Sequence, residues 1–538
     1  MVLVYFLLQV SFVQNYIARH AASRLSRALK TEVKVDHIDL EFFNTLSLNG
    51  TLVRDQQKDT LLYAGALKVN ITDWFFVKDK VELTYIGLEN TLIDLHRVDS
   101  VWNYQFLADY FAAPPSQKKQ NPIQLSVQEV SLKNIRLLQR DEWRGENLGL
   151  SLQSLDLQAE VFDLINKNIQ VKNLSIVQPI FSIYNYEGNR PPRPRMASPP
   201  LPPNDPENLR WNPGKWSLGI RNLTIRNGTL KNDIETERAP YYYFDGAHFQ
   251  FSQINSQISN IKLVNDTFSG NVQIATKERS GFEVKKLKAL MRFHPEAMEF
   301  RQLDIRTPKS YLRNYYAMRY DTFDDMSAFI DSIRLEGNFT DAIIHSDDIA
   351  YFAPELANWN TRISLSGKAT GTISHLVGKK VIAKAGNNTY LNGDFVLKGL
   401  PDIKKSYLDV TVRDFNASYT DVAQFFPVIK TINEPRLDRL GFIKFKGSFT
   451  GFLTDFVTYG TIETALGTLA TDVNMKFPDK GAPLYEGTIQ TEEFNLGQFI
   501  GNNMLGSFGV EGDIKGTGFT LQTLDAGLKG YIPFIVYN

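Results

Sequence analysis

From Val33 onward the strongest signal is an alternation of apolar and polar residues, as in Leu46-Ser47-Leu48 and Leu67-Lys68-Val69-Asn70-Ile71. A period of two marks strands with one buried and one wet face. Each such face needs cover, and the sequence offers few helices to supply it. Helical spacing recurs only near the N-terminus and over Trp102 to Phe111 (WNYQFLADYF), a short helix expected to end before Pro114-Pro115.

Within the alternation runs a repeat of the form apolar-x-apolar-x-Asn/Gln/Gly-x-x-apolar. Its copies are Leu46-x-Leu48-x-Gly50-x-x-Val53, Ile86-x-Leu88-x-Asn90-x-x-Ile93, Val130-x-Leu132-x-Asn134-x-x-Leu137, Leu174-x-Ile176-x-Gln178-x-x-Phe181 and Leu223-x-Ile225-x-Asn227-x-x-Leu230. Spacings of about 40 to 49 residues belong to repeat architectures. Asn and Gly tolerate positive φ, so the central position suits a bulge or a tight turn between two short strands. Asn227-Gly228 carries the strongest turn signal, that of a type I′ hairpin.

The second half has a tighter repeat. Ile363-x-Leu365-x-Gly367-x-x-x-Gly371-x-Ile373-x-x-Leu376 matches Ile443-x-Phe445-x-Gly447-x-x-x-Gly451-x-Leu453-x-x-Phe456 at an offset of about 80 residues, with Phe415-Asn416 and Phe494-Asn495 extending the match. A degenerate third copy begins near Val510. Glycine at fixed strand positions points to bends or close backbone approaches. Between the halves, Arg190 to Pro213 holds nine of the 23 prolines and reads as a surface loop, with Ala113 to Asn121 a smaller one. One strand per roughly 14 residues gives some 35 strands, stacking to about 170 Å.

At the N-terminus, Val2 to Val13 (VLVYFLLQVSFV) is apolar apart from Gln9 and Ser11. The run is shorter than the roughly 20 residues of an upright span. We read it as the tail end of a transmembrane helix. A signal-peptide core or a buried helix are the other readings, although no basic residue precedes the run and no small-x-small site closes it. Ile17, Ala21, Leu25, Ala28 and Leu29 then recur at helical spacing, with Arg19, Arg24, Arg27 and Lys30 on the remaining surface. This basic amphipathic helix either lies on lipid headgroups or caps the end of a sheet.

The sequence carries few motifs with chemistry of their own. Lys+Arg and Asp+Glu both number 59, so no global basic field attracts nucleic acid. The absence of cysteine excludes disulfides and thiolate metal sites. The seven histidines are scattered, and no metal site or cofactor is expected. No phosphate loop or nucleophile elbow is present. His345-Ser346-Asp347-Asp348 has the residue types of a triad but reads as a polar turn, and Asp321-x-x-Asp324-Asp325 lacks calcium-loop spacing. The chain is therefore expected not to be an enzyme.

The apolar anchor running into the amphipathic helix, the segment VKVDHIDLEFFNTLSLNGTLVRD, the insertion WNYQFLADYFAAPPSQKK, DIAYFAPEL (Asp348 to Leu356) and YEGTIQTEEFNLGQFIG (Tyr485 to Gly501) resemble the TamB and AsmA-like proteins of Gram-negative envelopes, of the Bacteroidetes type. The resemblance covers nearly the whole chain. It implies a mainly β fold, an elongated repetitive sheet curled into a groove, with an N-terminal membrane or amphipathic helix. It further implies a single-pass inner-membrane anchor, a body in the periplasm, and movement of phospholipid through the groove towards the outer membrane. Assembly of outer-membrane proteins or secretion with a BamA-like barrel partner is the alternative, the chain stopping short of the C-terminal domain that would meet it. Basic residues directly after an apolar span favour the cytoplasmic side, against that orientation. A secreted adhesin or carbohydrate-binding β protein is a third class, distinguished by cleavage after the apolar run.

The expected parts are 1–31, anchor and amphipathic helix; 32–345, AsmA-like β repeats; and 346–538, Gly-rich β repeats. The residues expected to line the groove and touch acyl chains are Leu46, Leu48, Ile86, Leu88, Val130, Leu132, Leu174, Ile176, Leu223 and Ile225.

Overall fold

The structure is a computed structural model describing residues 11–41, 45–71, 82–112, 124–191, 205–238, 240–354, 357, 359–425, 429–430, 432, 435–519 and 523–537. The protein is mainly β, with twenty-five described strands. That is fewer than the spacing argument gave, because many strands run far beyond a typical length: β5 (Gln124–Asp141), β6 (Glu146–Asp163) and β9 (Ser217–Ile234) each have 18 residues. The chain divides into two compact units, Met1–Pro295 and Glu296–Asn538. The expected change of repeat style at 345/346 falls inside the second unit, where a strand ending at His345 gives way to a helical turn at Ser346.

The first unit opens with α1 (Ser11–Leu29) and β1 (Val33–Glu41). Ala22 and Leu29 are buried against Val33, with Leu25, Val35 and Val53 packed around them. The helix thus covers the outer side of β1, the first strand of the sheet. Its packed stripe includes Ala22, whereas Ala28, expected on the apolar side, is exposed. Among the described residues no helix is long and apolar enough to cross a membrane, and most of the Val2 to Val13 run lies outside them.

The sheet continues through β2 (Thr45–Arg54), β3 (Thr60–Ile71), β4 (Glu82–Arg97), β5, β6, β7 (Asn168–Val177), β8 (Ile180–Asn185), β9, β10 (Gln250–Val264), β11 (Thr267–Glu278) and β12 (Glu283–His294). Among the described pairings of this unit three are parallel, β4 with β5 and β9 with both β7 and β8, and the others are antiparallel. Parallel partners need a crossover of a dozen or more residues. The two loops singled out in the sequence are those crossovers. Residues 98–123 include α2 (Gln105–Ala112), close to the expected helix. Residues 186–216 contain the Pro-rich segment, of which 192–204 lie outside the described residues.

These pairings orient the repeat. Two antiparallel steps restore direction, so β2, β4, β5, β7 and β9, the strands carrying the five copies, all run the same way. The central residue of every copy has positive φ: 63° at Gly50, 50° at Asn90, 53° at Asn134, 49° at Gln178 and 51° at Asn227. Each is a kink within a long strand, except at Gln178-Pro179, which separates β7 from β8. Asn227-Gly228 is accordingly not a hairpin turn. It lies in the middle of β9, because ladder partners on both sides hold the strand through it.

The second unit is an antiparallel meander in which each strand pairs with the next: β13 (Ala297–Arg306), β14 (Tyr311–Arg319), β15 (Arg334–His345), β16 (Arg362–Thr372), β17 (His375–Ala385), β18 (Thr389–Lys398), β19 (Tyr407–Ser418), β20 (Phe442–Phe452), β21 (Asp455–Thr464), β22 (Gly467–Lys476), β23 (Leu484–Asn495), β24 (Leu505–Thr517) and β25 (Asp525–Tyr537). The two copies of the tight repeat are the hairpins β16–β17 and β20–β21. Their matched glycines have φ of 138° and 113° at Gly367 and Gly371, and 156° and 136° at Gly447 and Gly451. A Cβ on Gly447 would stand 2.0 Å from the Tyr459 carbonyl oxygen, and one on Gly451 2.4 Å from that of Asp455. Only glycine permits these approaches.

Candidate functional site

Register fixes which side chains share a face, because residues opposite each other across a ladder point the same way. Followed across the first unit, the ten sequence-predicted residues fall into two rows, two residues apart along every strand. One runs Leu46, Val69, Ile86, Val130, Leu157, Leu174, Leu223, Ile258, Val272, Ala289. The other runs Leu48, Leu67, Leu88, Leu132, Leu155, Ile176, Ile225, Ser256, Ile274, Leu287. All ten predicted residues are brought together on one face, and each is half-buried.

The row between them points to the other face and is polar except for one glycine: Ser47, Lys68, Gly87, Ser131, Asp156, Ser175, Thr224, Gln257, Gln273, Lys288. Ser131 Oγ donates to Asp156 Oδ1 at 3.1 Å along it. A second polar row, starting at Thr45 and Asn70, is tied by Asn173 Nδ2 to Gln158 Oε1 at 2.9 Å and Asn222 Nδ2 to Asn173 Oδ1 at 3.1 Å. One face is thus polar, with hydrogen bonds between neighbouring strands from β5 to β9, and the other is largely apolar.

The positive-φ residues also align. By register the positive-φ residues Gly50, Asn90, Asn134, Gln178 and Asn227 stand in one row, which Gly65 and Gln153 complete on the return strands without a positive φ, and the row forms a crease across the strands. Asn134 Nδ2 donates to Asn90 Oδ1 at 2.9 Å along it. The apolar positions change parity there: Leu46 and Leu48 precede Val53, and Leu150 and Leu152 precede Leu155 and Leu157. The kink changes the parity on both partners of each ladder while their register runs on unshifted, so both arms keep their apolar side chains on the same surface. The row just past the crease is tightly packed, with Thr51 9%, Ala64 1%, Thr91 2%, Ile135 7% and Leu152 7% exposed. That burial fits the inside of a bend.

The repeat signature found the forward strands and missed their return strands. Val69 and Leu67 on β3, and Leu157 and Leu155 on β6, complete the rows. The signal was present in reverse: Leu62-x-Ala64-x-x-Leu67-x-Val69 and Leu150-x-Leu152-x-x-Leu155-x-Leu157 read the motif backwards.

The second unit has its own apolar row. Leu376, Leu397, Leu408, Gly451, Phe456, Met475, Tyr485, Gly516 and Ala526 are consecutive ladder partners from β17 to β25. Glycine stands directly beside the large rings of Phe456 and Tyr485. Phe456 packs on Phe449 with ring centres 4.5 Å apart, and Tyr485 stacks on Phe519 at 5.3 Å. The last strand is exposed throughout, Tyr531, Ile532, Ile535 and Tyr537 among its side chains.

Two polar groups merit chemical reading. Asp55, Asp59 and His96 bring possible ligand atoms within 4.8 Å of one another. Asp55 Oδ1 already accepts from the Gln57 and Asp59 N–H groups at 2.9 and 2.8 Å. Asn103 Nδ2 lies 3.0 Å from His96 Nδ1, which must accept, leaving the ring proton on Nε2 facing Asp55 Oδ2 at 3.8 Å. The group clamps the β2–β3 turn to the start of the first crossover. The residues of His345-Ser346-Asp347-Asp348 do not converge as a triad either. His345 caps a helical turn by accepting from the Asp347 N–H, while Asp348 Oδ2 accepts from the Thr307 hydroxyl at 2.6 Å.

No family model matches the chain, and no curated protein matches it.

Proposed function

We propose that the first unit folds lengthwise along its crease into a trough whose apolar rows hold phospholipid acyl chains, and that the apolar row of the second unit serves the same ligand. In this reading the protein is anchored in the inner membrane, its body lies in the periplasm, and it carries lipid towards the outer membrane. The observation that supports it is the pair of largely apolar rows crossing β2 to β12, half-buried from β2 to β9 and interrupted at β10 by the buried Ser256, with a tightly packed row beside the crease. Among the described residues of the first unit, the only two helices are α1 and α2, and α1 packs on β1. Cover for the rows must come from the facing arm or from a ligand.

The energetics suit sliding. Each methylene moved from water onto an apolar surface gains about 0.8 kcal/mol, so a two-chain lipid is held without a specific polar contact. Successive strands repeat the same two positions, and moving by one strand exchanges one apolar contact for an equivalent one. No reacting group is required.

The test is lipid content. Purified full-length protein should carry phospholipid detectable by mass spectrometry, and replacing Leu88, Leu132 and Ile225 together by Asp should remove most of it while circular dichroism stays that of a β protein. Unchanged lipid content in that variant would sink the reading. The exposed apolar strand β25 supports a second reading, a scaffold that adds strands from outer-membrane proteins, with a BamA-like barrel as partner. It predicts protein rather than lipid captured at Tyr531 and Ile535.

A further inference from the structure

A shallow, open cleft of about 530 Å³ lies between α1 and β1. Its floor includes Ala22 and Val33, and its rim carries Arg19, Arg27, Lys30 and Lys34 with no carboxylate in the lining. Lys34 is paired with Asp36 at 2.6 Å. Arg27 Nε donates to the Ser23 carbonyl, and no carboxylate stands with Arg19 and Lys30 in the lining.

Part of this charge has a structural role. Arg27 and Lys30 sit at the C-terminal end of α1, where cations offset the helix dipole, and Lys30 ends the helix with φ of 54°. Arg19 lies two turns earlier, beyond that effect. The helix has no acidic residue. A second observation points the same way. One and two turns before Arg19, Tyr16 is 66% and Phe12 78% exposed, two aromatics on the face that carries the cavity's first cation. Exposed rings beside basic residues above an apolar floor match a molecule with an anionic head and an apolar body.

We infer that the cleft between α1 and β1 binds the phosphate headgroup of an anionic phospholipid, with the adjoining chain on Ala22 and Val33. Arg19, Arg27 and Lys30 supply charge to the phosphodiester, and Phe12 and Tyr16 lie against neighbouring lipid. The inference shares with the proposed function only the class of ligand. It concerns recognition at one end of the first unit, whereas the apolar rows need no headgroup contact.

Calorimetry on the full-length protein tests it, using dihexanoylphosphatidylglycerol, dihexanoylglycerol and inorganic phosphate as separate ligands. The phosphatidylglycerol should bind, and R19Q/R27Q/K30Q should weaken it on the order of a hundredfold. K172Q/K231Q/K262Q, which removes equal charge from β7, β9 and β10, should leave it within about twofold. R19K/R27K, which keeps the charge, should retain binding and guards against a folding defect. Equal losses in both triple variants, or inorganic phosphate binding as tightly as the lipid, would overturn the cleft. So would dihexanoylglycerol binding as well as its phosphate-bearing counterpart. The Leu88, Leu132 and Ile225 substitutions should leave cleft binding intact, so either reading can fail alone.

Discussion

The two units bend their strands by different means. In the first, the crease is built largely from Asn and Gln, which keep a side chain and hydrogen-bond along the fold line, as Asn134 does to Asn90. In the second, Asn314 and Asp341 still serve near the start, with φ of 99° and 47°, but from β16 the bending positions are mostly glycines packed against backbone. The first unit also inserts parallel pairings and long crossovers, whereas the second is a plain meander. A crease made of side chains can be edited; one made of backbone contact cannot.

The largest effect should come from filling a backbone contact. Gly447→Val places a Cβ 2.0 Å from the Tyr459 oxygen and 2.7 Å from Gly460 Cα, and should destabilise the second unit by about 4 kcal/mol or more. Limited proteolysis should show cleavage there while the first unit stays protected. If the variant melts like the wild type, the close-contact account of the glycine repeat is wrong.

Next comes the clamp on the first parallel pair. Arg97 bonds Asp141 through two contacts of 2.7 and 2.6 Å at the ends of β4 and β5, with side chains 11% and 2% exposed, and stacks on Trp102 at 4.6 Å. Arg97→Ala strands a buried carboxylate and should cost about 3 kcal/mol, read from denaturant unfolding. A loss below about 1 kcal/mol would mean the crossover holds without it.

Acid should weaken both units, through different partners. Burial alone would raise the Asp141 carboxyl, but hydrogen bonds from Arg97 and the Arg144 N–H outweigh it and hold it below the usual value of 3.8. Asp421 is likewise pushed up by burial and brought lower by the N–H groups of Asn388 and Asn387 and the Thr389 hydroxyl. A lowered folded value gives stability that is fully present above about pH 4 and is lost as pH falls through the folded pKa. Asp141→Asn should flatten that loss in the first unit and Asp421→Asn in the second. Hydrogen exchange against pH separates them, and a loss centred near neutrality would contradict both.

The smallest effect probes the crease itself. Asn134→Gly should stay within about 0.5 kcal/mol, because glycine accepts the same φ, while Asn134→Val should cost about 1 to 2 kcal/mol. Equal stability of the two would show that the positive φ is not what the position selects.

The sequence was legible where a local preference and the global register asked for the same thing. Asn90, Asn134 and Asn227 announce positive φ by residue type, and Leu88 and Leu132 announce a face by parity. Strand direction was not legible, because a motif read forward says nothing about its neighbour. Thus the adjacency of β4 and β5 stayed hidden, although the two Pro-containing insertions were the connections a parallel pair requires. Asn227-Gly228 misled for a related reason: a dipeptide that favours a turn in isolation is held in a strand by partners on both sides. The Asp55, Asp59 and His96 clamp was invisible because its members converge only when β2, β3 and β4 align.

Adjacent residues on opposite faces offer the most direct test of the central claim, that the apolar rows hold acyl chains. A photo-crosslinking residue placed at Leu132 in cells should capture phospholipid, and the same residue at Ser131, one position away on the polar face, should not. Equal capture at both positions, or none at Leu132, would contradict the account.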